Sequence, residues 1–416
     1  MINGLQSFLD TSPTPYHLCA TAIDLLRSGG YSAVPYQQAS PQFFLEPKGI
    51  VHRDGALIAW NWPVAANSAA GALLVGAHSD SPGLALKPQP NSVAFGWNQL
   101  NVEIYGGVLL NSWLDRDLGI AGRIYTKDGQ PSDFVASDAI ARVPQLAIHL
   151  DRDISEKGLV LHRQQHMKPI WGTDTSVNFL SWLANRAGLD KSEITSFDLS
   201  LFDIAKSSIL GHDRSLLVSG RIDNQVSCWA AITSLFQTTA PKRPYLVALF
   251  DHEEVGSASV NGAAGPFLEH VLQELMLVRG DAGLFPTFAK NSLFISADNA
   301  HGIHPNYPER HDSDHAPRVN MGPAIKVNVN QRYATDARTA SVVSEVAMLA
   351  KVPLQLFASN NAQPCGSTIG PISATRLGID TVDIGVPQLS MHSAREMCGV
   401  KDPIYLVDLL SALASS

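Results

Sequence analysis

Cysteine is scarce in this chain. Four residues, Cys19, Cys228, Cys365 and Cys398, occur among 416, and no two form a C-x-x-C pair. A disulfide-built scaffold is not expected from so few in so long a chain. Charge is also sparse, at 16% of residues, and the net balance is −8 with no run rich in Lys or Arg. A nucleic-acid or anionic-membrane partner is therefore not expected. No apolar run has the length and continuity of a membrane span. The uncharged segment 55–79 is interrupted by "NWP" and "ANSAAG", so it reads as two strands and a turn. The first residues show no basic stretch leading into an apolar one, so no signal peptide is expected and the expected setting is cytoplasmic. Internal repeats and low-complexity tracts are lacking. What remains is a globular composition, 45% hydrophobic, with a length that favours one large domain and a smaller one.

The pattern along the chain is α/β. "SPTPYHLCATAIDLLRSGG" predicts a helix that Pro15 starts and Gly29-Gly30 stops. "GALIAWNW" and "AGALLVGAHSD" read as buried strands. From about 86 to 218 short strands such as "NVEIYGGVLL" and "GIAGRIYT" alternate with turns, which marks an inserted β-rich module. Beyond it, "SGRIDNQVSCWAAITSLFQT" predicts a helix with Val226, Trp229, Ala230, Thr233 and Phe236 on one face. Strand and helix signals then alternate to the last residues. The expectation is a mixed, largely parallel sheet covered by helices, with catalytic segments 1–85 and 219–416 flanking an inserted β-rich domain, 86–218.

Several of these strands end in ionisable residues. "LLVGAHSD" runs into His78 and Asp80, "YLVALFDHEE" into Glu253 and Glu254, "SLFISAD" into Asp298, and "DTVDIGV" precedes the loop with His392. Asp223 stands just before a helix. Ligands of open α/β sheets gather beyond the carboxyl ends of the strands. His, Asp and Glu converging there suit zinc, cobalt or manganese. Three carboxylates, Asp223, Glu254 and Asp298, and one hydroxide balance two divalent ions. The expected division gives His78 and Asp298 to one ion and Glu254 and His392 to the other, with Asp223 between them. Glu253 is left to move a proton. A lone HxD or HEE is as readily a solvated turn; the repetition of the pattern at several strand ends carries the argument.

"GAHSDSPG", "GRIDNQVS", "FDHEEVGS", "ISADNAHGIHPN", "IKVNVNQRYATD", "PCGSTIGPI" and "LSMHSARE" resemble the aspartyl aminopeptidases, dinuclear zinc exopeptidases that remove N-terminal acidic residues. The resemblance runs from "TPYH" to the last part of the chain. It implies His78, Asp223, Glu254, Asp298 and His392 as ligands of two divalent ions, zinc by preference, with Asp223 bridging. It implies Glu253 as general acid and base, Asp80 as the residue steering His78, and a cis peptide bond at Asp223–Asn224. It further implies that the inserted segment is a dimerisation domain, that the subunits form a homo-oligomer built from dimers, a dodecamer, and that His149 in "VPQLAIHLD" enters the neighbouring subunit's site. Lys326 and His301 are the expected partners of the acidic side chain. The chain departs from the family at Ala362, two residues before "PCG", where an Asp is usual; this bears on the substrate's amino end or on support of that loop. Rival expectations are a related deacylase or dipeptidase, and a non-catalytic assembly protein of the same fold. His149 has its own rival placement, at the end of a core strand within its own subunit.

Overall fold

A computed structural model describes residues 1–416. A nine-stranded mixed sheet forms its centre, with four neighbouring parallel strands in the order Tyr245–Phe250, Leu73–His78, Leu293–Ala297 and Asp380–Gly385. These are the apolar runs of the sequence, and they are apolar because both faces are covered. Leu73, Val75 and Ala77 point into one buried cluster of 44 residues, while Leu74 points into a second of 24 on the opposite face. Antiparallel neighbours extend the sheet on both sides, through Ala56–Asn61 and Ala324–Val327.

The helix Ile222–Gln237 does not have the single buried face that its periodicity suggests. Every residue from Ile222 to Leu235 is buried, because the helix is enclosed between the sheet and the helices Ile2–Thr11, Pro15–Ser28 and Asp402–Ser415. Its first turn is irregular: Asp223 and Asn224 have non-helical dihedrals and the bond between them is cis, as the resemblance implies. The helix Ile2–Thr11 was not anticipated from the sequence. It buries only Leu5, Phe8 and Leu9, too short a stripe to stand out.

A separate six-stranded antiparallel sheet is built from residues between Gly83 and Gly172 and from Ile194–Asp203. It has its own core of 19 buried residues, closed by the helix Phe179–Ala187. The chain enters and leaves this sheet through adjacent strands, since Leu84 and Ala85 pair with Leu201 and Ser200. The strands Ser208–Leu210 and Leu216–Ser219 belong instead to a five-stranded sheet with Glu396–Gly399, Pro387–Leu389 and Ala300–His301. "NVEIYGGVLL" is a strand only as far as Tyr105; Gly106 has φ +71 and the chain turns away from the sheet. No helix is long and apolar enough to cross a membrane.

Candidate metal centre

The parallel strands deliver their polar ends to one place. His78 closes its strand, Asp298 follows Leu293–Ala297 directly, and the turn after Tyr245–Phe250 carries Glu253 and Glu254. His392 arrives from the loop beyond Pro387–Leu389, with φ +68. Asp223 lies between them at the start of the buried helix. Its Oδ1 is 3.5 Å from His78 Nε2, and its Oδ2 is 3.6 Å from His392 Nε2. Asp298 Oδ2 lies 3.9 Å from the first imidazole and Glu254 Oε2 3.4 Å from the second. The carboxylate of Asp223 thus faces two donor groups with two different oxygens. Donor atoms of His78, Asp223 and Asp298 fall within 4.8 Å of one another, as do those of Asp223, Glu254 and His392.

Whether these residues fit a divalent cation is decided by their free atoms. Asp223 Oδ1 is buried and has no hydrogen-bond partner. Both imidazoles have their other nitrogen taken: His78 Nδ1 donates to the Asp80 carbonyl at 3.0 Å and His392 Nδ1 to the Gly107 carbonyl at 3.0 Å. That fixes the tautomer and turns each Nε2 inward as a ligand atom. Imidazole nitrogen and carboxylate oxygen in this number match a zinc-type donor set. The residues fit.

The groups otherwise settle their charge with protons. Burial and the Asp223 carboxylate beside it hold Glu254 well above the usual carboxyl range. Burial acts to lower His78, but the Asp223 and Asp80 carboxylates beside it override this and raise it well above the ordinary histidine value. A cation taking these donors displaces such protons. Glu253, directed to the same space, is raised to about 7 by burial and by the carboxylates of Asp298, Asp80 and Asp223, against the opposing pull of His78. A carboxyl near neutrality is suited to both taking and giving a proton.

Asp80 is placed differently from the simple expectation. Its main-chain oxygen, rather than its carboxylate, is the closer partner of His78; the carboxylate Oδ1 is at 3.4 Å. The carboxylate accepts the amides of Glu253 and Glu254, both at 3.1 Å, and so shapes the turn that carries them. Lys326 lies on an inner strand, between Gln355–Ala358 and Asp380–Gly385. It is buried, with Nζ 3.3 Å from Asp298 Oδ1 and 3.2 Å from the Asn299 carbonyl, over the Tyr333 ring. His301 opens to solvent at one end of a cleft lined by Arg310, His311, His315 and Asn360. Enough protein surrounds its ring to lower its pKa, and Lys326 adds to the effect. His149 stands apart from the cluster, exposed on the turn Ile148–Leu150 and not at the end of a core strand. Ala362 lies in a tight turn in which its amide is accepted by Asn360 Oδ1 at 2.9 Å.

Glu396 was not singled out in the sequence. Buried on Glu396–Gly399, it accepts the Asp223 amide at 2.9 Å with one oxygen and the His392 amide at 2.7 Å with the other. Its position in "LSMHSARE", four residues after His392, was the available signal.

A profile of the family described as aminopeptidase I zinc metalloprotease (M18) matches residues 8–413. The "probable M18 family aminopeptidase 2" of Streptomyces coelicolor is 46% identical over 422 residues, covering 99% of this chain and 96% of that protein. The protein of the same description from Stutzerimonas stutzeri is 41% identical, over 99% and 97%. Among solved structures, the Ape4 and Nbr1 complex contains a chain with a TM-score of 0.95 and 34% identity, covering 100% of this chain and 85% of that one. The S. cerevisiae mApe1 dodecamer gives 0.85 and 27%, over 99% and 95%.

Proposed function

The chain belongs to the M18 family of zinc metallo-aminopeptidases, and from that premise we propose that it removes Asp or Glu from the N-termini of peptides at a centre of two divalent ions. The observation that carries the two-ion reading is the Asp223 carboxylate, one oxygen toward His78 and the other toward His392. In this reading His78 and Asp298 would hold one ion and Glu254 and His392 the other, with Asp223 available to both. Zinc is the proposed metal, with cobalt or manganese as functional substitutes. When bound, such ions polarise the scissile carbonyl and lower the pKa of water.

The chain's own groups do the rest. Glu253 accepts a proton from the attacking water and delivers it to the leaving amine. Its carboxylate lies within 4.8 Å of donor atoms of His78 and Glu254, which supports this role. Lys326 has two protein acceptors, which leaves its third N–H for the carboxylate of an acidic first residue, with His301 beside it. His149, exposed on its turn, is proposed to enter the site of a neighbouring subunit. The segment 86–218 is proposed as the dimerisation domain of a dodecamer, by analogy with the S. cerevisiae mApe1 dodecamer. A cytoplasmic setting completes the proposal.

The test is release of free amino acid from unblocked peptides that differ only in the first residue, together with a count of bound ions. Preferential release of Asp and Glu at two ions per chain is expected. Activity confined to N-acetylated substrates would instead identify a deacylase, and equal rates on Leu and Asp would remove the acidic preference.

A further inference from the structure

The residues that follow the strand Trp97–Tyr105 start in the antiparallel sheet and end against the metal centre. The Tyr105 hydroxyl donates to Asp80 Oδ2 at 2.7 Å. That oxygen also accepts the Glu254 amide, and Oδ1 accepts the Glu253 amide. The phenol therefore completes the hydrogen bonding of one buried carboxylate on which both glutamates depend. The main-chain carbonyl of Asp80 accepts the His78 Nδ1 proton. Gly106 comes next, and a Cβ there would lie 3.2 Å from Glu254 Cβ. The carbonyl of Gly107 then accepts the His392 Nδ1 proton, and a Cβ on Gly107 would lie 3.1 Å from that nitrogen. Leu109 donates its amide to the His392 carbonyl at 3.1 Å, and Ser112 Oγ accepts the Ala394 amide at 2.8 Å.

We propose that Tyr105–Ser112 is a positioning strap: through Tyr105 it sets the Asp80-held turn of Glu253 and Glu254, and through Gly107 it sets the ring of His392. The antiparallel sheet thereby orients both halves of the centre, beyond any part it has in subunit contact. An ordinary contact between two packed sheets would be made by apolar side chains. Here the contacts go to an imidazole nitrogen, to a ligand's main chain and to the carboxylate under the proton carrier. Glycine suits both places: Gly106 has positive φ, and a Cβ on either residue would press on Glu254 or His392 closely enough that the neighbour would have to give way by a few tenths of an ångström.

The inference rests on the metallo-aminopeptidase reading, and two variants of the full chain test it. Tyr105→Phe keeps the ring and removes one hydroxyl. It should lower kcat by about 10- to 100-fold, the range for partners that orient ligating or catalytic groups, with KM within about twofold and ion content unchanged. Gly107→Ala should weaken one of two bound ions by about 10- to 100-fold in a competition titration against a chromophoric chelator with zinc alone. Wild-type kcat in Tyr105→Phe together with wild-type zinc affinity in Gly107→Ala overturns the proposal. So does an activity loss matched by loss of folded protein, since that marks a structural contact only. If the unmodified protein releases no amino acid from any unblocked peptide, the aminopeptidase reading falls, and the zinc titration of Gly107→Ala still decides the strap.

Discussion

The two sides of Asp223 are built differently. On one side stand His78 and Asp298, whose side chains are 2% and 10% exposed, at the ends of adjacent strands in the middle of the sheet. On the other stand Glu254 and His392. Here the imidazole is 30% exposed, sits on a loop residue with positive φ, and is held by Gly107 and Leu109, beyond the end of an antiparallel strand, and by Glu396 of the five-stranded sheet. The first side inherits its geometry from β pairing. The second joins Glu254, only 5% exposed in the turn after a central strand, to a histidine on a loop that borrows its rigidity. A centre built this way should have one firm half and one adjustable half. Substrate access and metal exchange should both favour the second.

Glu253 faces both halves, and its replacement has the largest expected effect. Glu253→Gln should retain its ions and lose about 100- to 10,000-fold in turnover, because an amide cannot carry the proton. Near-normal kcat in a fully loaded variant would take Glu253 out of the reaction. Asp223→Asn should next erase the difference between the halves, weakening both ions together, whereas His392→Ala should weaken only one. Equilibrium dialysis against graded zinc, read as ions per chain, separates these cases; Asp223→Asn with two ions of unchanged affinity would exclude sharing.

Lys326→Met probes the firm half. Losing a charge-assisted contact of about 1.5–3 kcal/mol should cut cleavage of Asp- and Glu-peptides roughly 10- to 100-fold more than that of Ala-peptides. Because Lys326 also pairs with Asp298, some loss on every substrate is expected; an equal loss on all of them would assign the lysine to Asp298 alone. The smallest effect is kinetic. During slow chelation of the unmodified protein, one equivalent should leave before the other, and His392→Ala should abolish the early phase. Simultaneous loss would mean that the halves are equally firm.

The same division governs what could be read from the sequence. His78, Asp298 and the Glu253-Glu254 pair were legible because an apolar strand followed at once by an ionisable residue is a local signal. The central strands were legible because burial on both faces leaves continuous apolar runs. Tyr105 and Glu396 were not singled out, since a tyrosine at a strand end and a glutamate on a short strand are ordinary until the fold shows which backbone amides and carboxylates they meet. In "NVEIYGGVLL" the Gly106-Gly107 pair marks the strand's end, a signal that the apolar residues on either side of it mask. Periodicity assigned one buried face to the helix Ile222–Gln237, but no local pattern reveals that a helix is enclosed from every direction.

The attachment of the six-stranded sheet has an evolutionary consequence. The chain enters and leaves that sheet through neighbouring paired strands, Leu84 and Ala85 against Leu201 and Ser200. Joined by one ribbon, such a unit can be lengthened, trimmed or exchanged without altering the order of strands in the central sheet. What cannot be exchanged freely is the stretch from Tyr105 to Ser112, because Asp80 and His392 lean on it. A graft at this ribbon should therefore yield a folded chain easily and a working enzyme only if the incoming unit brings an equivalent of Tyr105 and the two glycines to the same place.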